Sequence, residues 1–146
     1  MLDRAYIGHR FDDRFVHVEA GQLRFFAKAT GETDPVYFDE DAAKAAGHPA
    51  LPAPPTFLFS LDVQSGNFAS LKLLGVDIGR VLHGEEQFEH RRQIYAGDRL
   101  RLSSRIADLY DKKGGALDFI VQETTAENQH GETVGMHRTV TVVRNG

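Results

Sequence analysis

The spacing of hydrophobic positions changes about midway along the chain. In "GQLRFFAKATG", Leu23, Phe26, Ala27 and Thr30 recur at i, i+3, i+4 and i+7, one face of a helix, and Gly31 stands where a C-cap belongs. "DEDAAKAAGH" opens on acids, is rich in alanine and closes on Gly47, predicting a second short helix. In "LPAPPTFLFSLDVQSG", Pro54 and Pro55 suit a first helical turn but not a helix interior, and Phe57, Leu58, Phe59 and Leu61 are apolar almost all round. A helix beginning near those prolines is predicted to be long and buried. From about Arg80 the period shortens to two. Val81, Phe88 and Ile94 stand among polar residues; "RLRLSSRIADLY" aligns Leu100, Leu102 and Ile106; "GALDFIVQETTAEN" puts Leu117, Phe119 and Val121 on one face; "ETVGMHRTVTVV" is rich in β-branched residues. "YAGD", "DKKGG" and "NQHGE" supply the glycine-containing turns that antiparallel hairpins need. Helices followed by antiparallel strands predict an α+β fold in which the sheet wraps the buried helix.

Composition narrows the class without changing that picture. At 146 residues, 41% apolar and 26% charged, the chain reads as one ordinary globular domain, 1–146. A net charge of −4 with scattered Lys and Arg argues against nucleic-acid binding, and Arg91 with Arg92 is too small a cluster to reverse this. The absence of cysteine excludes disulfides, thiolate metal sites and cysteine nucleophiles. "MLDRAYIGHRF" lacks the apolar core of a signal peptide, and no run approaches a membrane span, so the expected location is cytoplasmic. No metal or other cofactor is expected: no metal-ligand spacing stands out, and a regular strand would put His83 and His90, seven apart, on opposite faces. Neither a phosphate-binding glycine loop nor a Gly-x-Ser-x-Gly elbow is present.

"FAKATGETDPVYFDEDAAKAAGHPALPAPPTFLFSL" resembles the MaoC-like dehydratase/hydratase family, especially its N-terminal-type domains, and "VLHGEEQFEHRRQIYAGDRLRLSSRIADLYDKKGGALDFIVQETT" is similar to the strand region of the same proteins. The resemblance implies a hot-dog fold, doubled or dimeric, that binds acyl thioesters of coenzyme A or acyl carrier protein. The implied reaction is reversible hydration of 2-enoyl to 3-hydroxyacyl thioesters. Catalytic members carry Gly-Asp-x-Asn-Pro-x-His, whose Asp and His activate water, while an amide at the start of the central helix polarises the thioester carbonyl. Here Gly31 and Pro35 match. Glu32 stands for the aspartate, Asp34 for the asparagine and Tyr37 for the histidine. A phenol with a pKa near ~10 is a poor base at neutral pH. Pro54 and Pro55 fall where the oxyanion amide belongs, and proline has no N–H, so that donor is missing unless the register shifts to Thr56 or Phe57.

These substitutions leave three readings open. The chain is a hydratase or dehydratase using Glu32 or Asp34 with His48 or His83; or it is a non-catalytic acyl-binding partner of a catalytic hot-dog subunit; or it is a hot-dog thioesterase. On the first reading Glu32, Asp34, Tyr37 and His83 form the catalytic set, and His48, Pro55, Thr56 and Phe57 line the substrate. Beside each stands a structural role: Asp34 as a turn-capping carboxylate, Glu32 as a solvated acid, Tyr37 as a packed ring, His48 in a loop and His83 in a strand. The resemblance further implies a homodimer, or a heterodimer with another hot-dog subunit, joined through a sheet edge.

Overall fold

The computed structural model describes residues 1–66 and 68–146. Its strands are β1 (Arg14–His17), β2 (Val81–His90), β3 (Arg99–Lys112), β4 (Leu117–Glu127) and β5 (Thr133–Arg144), and its helices α1 (Ala20–Ala29), α2 (Glu40–Ala45), α3 (Phe57–Gln64) and α4 (Ala69–Leu73). The strands form one antiparallel sheet in the order β1-β3-β4-β5-β2, leaving β1 and β2 at its edges. The sheet wraps α3: this is the α+β hot-dog arrangement that the sequence predicts.

Local chemistry sets the helix boundaries. α1 buries Leu23 and Ala27 and ends in a Schellman motif at Gly31 (φ +79°), whose N–H reaches the Lys28 carbonyl at 3.2 Å while that of Glu32 reaches Ala27 at 2.9 Å. The Asp39 carboxylate caps α2 by accepting from the Asp41 and Ala42 amides. α3 starts later than the prolines suggest. Thr56 is its N-cap, and Pro54 and Pro55 form the turn before it, where the Phe57 N–H donates to the Pro54 carbonyl at 3.0 Å. The helix is also short, eight residues, before the chain turns toward α4. Phe57, Leu58 and Leu61 are buried, as expected of an apolar helix, against Leu100, Leu102, Ala126 and Val134. A second cluster joins Leu71 of α4 to Ile106, Leu109, Ile120 and Val143.

As expected, Leu117, Phe119 and Val121 share a face of β4; it is the face turned away from α3, where Phe119 stacks on Tyr110 with centroids 4.7 Å apart. The face toward the helices carries Asp118, Ile120, Gln122, Thr124 and Ala126, three of them polar. In β2 a bulge between His83 and Glu85 shifts the register against β5. His83 and His90 therefore pair with Thr141 and Gly135, residues of one face, instead of pointing to opposite sides. Gly84 makes the bulge possible, because a Cβ there would lie 2.8 Å from the Val140 carbonyl oxygen.

Candidate functional site

The loop after α1 brings Glu32, Asp34 and Tyr37 together. Asp34 accepts from the Val36 N–H at 3.1 Å and so caps the 3-10 turn Pro35–Tyr37, a turn role that occupies one carboxylate oxygen. Tyr37 is half-buried. Burial first, then the negative charges of Glu32 and Asp34, push its phenol above the usual tyrosine value. Its proton is thus held more tightly than in water, the opposite of what a general base requires. Tyr37 lines a cavity of about 290 Å³ at the start of α3, together with Pro54, Pro55, Leu58, Arg92 and Ile94. Thr56 is exposed at the helix start, whereas Phe57 turns inward, 1% exposed, onto the ring of Phe26 at 5.2 Å.

The two candidate histidines lie apart from this loop. His48 lies in the loop just after α2, its Nδ1 3.2 Å from the Tyr95 hydroxyl. His83 sits on β2 with its ring 5.4 Å from Phe59 and lines a different cavity, about 280 Å³, beneath α3 and α4. Phe59, Val63, Leu71, Val81 and Gln122 complete most of that second wall, which is largely apolar. Phe57 and His48 border neither space.

Sequence reasoning missed the most strongly charged feature of the interior. Asp62, fully buried on α3, meets Arg14 of β1 (Oδ1 to Nη2, 2.5 Å) and His137 of β5 (Oδ2 to Nε2, 3.0 Å). The second contact is an ion pair whose N–H is not aligned on the oxygen. His137 Nδ1 lies 2.5 Å from Glu86 Oε1, and Thr139 donates to the other Glu86 oxygen at 2.8 Å. Thr124 donates to Asp62 at 3.1 Å, and Ser104 bonds both Thr124 and Arg14. Burial pushes His137 down, but the close polar contacts with Asp62 and Glu86 and the charges of both carboxylates outweigh it and raise the ring to about 9. The ring is an imidazolium at neutral pH, so the cluster holds two cations and two anions in balance. All five strands and α3 contribute. The legible signals were an acid inside an apolar helix and a histidine inside a β-branched run, each unremarkable alone.

A family description, "FAS1-like, dehydratase domain region", matches residues 5–137, and the chain belongs to this family of hot-dog dehydratases. A UPF0336 protein of Streptomyces coelicolor is 37% identical over 118 residues, 80% of this chain and 79% of the relative. A chain of the truncated HadBC (3R)-hydroxyacyl-ACP dehydratase complex of Mycobacterium tuberculosis superposes with a TM-score of 0.79 at 28% identity, covering 94% of this chain and 96% of that one. A MaoC-like dehydratase gives a TM-score of 0.85, also at 28% identity, over 96% of this chain but 42% of the longer neighbour.

Proposed function

We propose that this chain is the acyl-binding, non-catalytic subunit of a 3-hydroxyacyl thioester dehydratase, paired with a second hot-dog subunit that supplies the catalytic residues. The observation that carries this reading is the state of the front loop. Tyr37, in the histidine's place, is a phenol pushed upward between two acids, and prolines precede the first turn of α3. Losing an oxyanion donor costs about 10²–10³-fold in rate, and losing a general base a further ~10²–10⁴-fold. What remains is a binding function. The cavity beneath α3 and α4 offers a largely apolar lining suited to an acyl chain, and that lining includes His83 and Leu82, exposed residues of edge strand β2. A partner docked along that edge is placed to pass a chain into the cavity. The HadBC neighbour is itself a (3R)-hydroxyacyl-ACP dehydratase complex, which supports a paired assembly.

Hydration of a crotonyl-type thioester by the purified chain tests the assignment, alone and mixed with a hot-dog subunit that retains Asp and His. The expected result is no turnover alone and turnover in the mixture. Robust activity of the chain alone, abolished by Glu32→Gln, would overturn the proposal and make Glu32 the base.

A further inference from the structure

Gln122 occupies the middle of β4, opposite Ile106 of β3 and Thr139 of β5. It is 6% exposed. Gln122 lines the 280 Å³ cavity beneath α3 and α4, and it also lines a separate cavity of about 240 Å³ on the β1 side, bounded by Phe11, Gly66, Ala69 and Ser104. Gln122 is the one described residue common to both linings.

We propose that Gln122 is the end stop of the acyl pocket, fixing the longest chain this subunit accepts. The inference rests on the acyl-binding reading above and adds the residue that limits it. The stop acts in two ways. The side chain fills the passage sterically, and its amide also resists a methylene pressed against it, because that contact strips the amide of solvent without offering a partner. Beyond it the second cavity stands open, so the limit depends on one side chain rather than on the whole sheet.

Calorimetric binding of saturated acyl-pantetheine thioesters of increasing length to the full chain tests this. In the wild type, affinity should rise about fourfold per added methylene, as expected for burying each CH₂, and level off at a limiting length. Gln122→Ala should move that limit to chains several methylenes longer by joining the two cavities. Gln122→Leu, which keeps the bulk, should leave the limit in place. Ala69→Leu added to Gln122→Ala should refill the second cavity and restore the original limit. A limit that Gln122→Ala leaves unmoved, or that Gln122→Leu shifts as far, overturns the end-stop role while acyl binding stands. If the wild type binds no chain of any length, the acyl-binding reading itself fails, and this inference with it.

Discussion

A carboxylate at the centre of an apolar helix is costly unless it is matched, and Asp62 is matched on two sides by Arg14 and His137. Removing one member strands the others. Asp62→Asn should therefore destabilise the fold by ~3–5 kcal/mol in denaturant unfolding, leaving Arg14 and His137 without their shared anion. The cluster also makes stability depend on pH in a definite direction. His137 titrates at about 9 in the folded chain, above the roughly 6.5 of an unfolded histidine. Its contribution is complete below about pH 6.5 and is lost as pH rises through about 9, on the order of 3 kcal/mol at most. Unfolding free energies measured from pH 6 to 10 should fall across that window, and His137→Gln should flatten the fall. A wild-type profile rising with pH there would contradict the charged state of this ring. Little of this was legible in the sequence: Arg14, Asp62, Glu86, Thr124 and His137 lie on five different elements, and the sheet alone makes them neighbours.

The single elements, by contrast, were largely legible. The i, i+3, i+4 pattern closed by Gly31 gave α1 with its cap, and the unbroken apolar run gave a buried α3. What failed did so for local reasons. The prolines shape the turn before α3 instead of its first turn. In β2 one extra residue at the bulge inverted the expected parity of His83 and His90. Gly84 gives that bulge a test. A methyl at this position would meet the Val140 carbonyl and a Val142 methyl, both at 2.8 Å, so β2 and β5 would have to separate. Gly84→Ala should cost ~1–3 kcal/mol and speed amide exchange through β2. Protection equal to the wild type would show that the strand pair absorbs the methyl without moving.

At the scale of the whole molecule, β2 pairs with β5 on one side only, and Leu82 on it is 48% exposed. On the reading proposed here, the free side of β2 meets a second hot-dog subunit, and its charges bear on which one. The strand carries Glu85, Glu86 and Glu89 and no Lys or Arg of its own. Antiparallel pairing of two copies of β2 near its middle would bring these glutamates toward one another, and like charges opposite each other across strands are destabilising. His137 takes up Glu86, and Arg91 lies 2.9 Å from Glu89; the charge left over is that of Glu85. The edge therefore favours a different hot-dog chain, one without matching acids, over a second copy of itself. Light scattering and titration should show weak self-association of this chain and tighter binding to a catalytic hot-dog subunit. Glu85→Gln should strengthen the first, whereas Leu82→Lys should weaken the second at least tenfold by placing a charge in the buried part of the contact. A homodimer as tight as the heterocomplex, indifferent to Glu85→Gln, would refute the electrostatic preference and return the chain to a symmetric assembly.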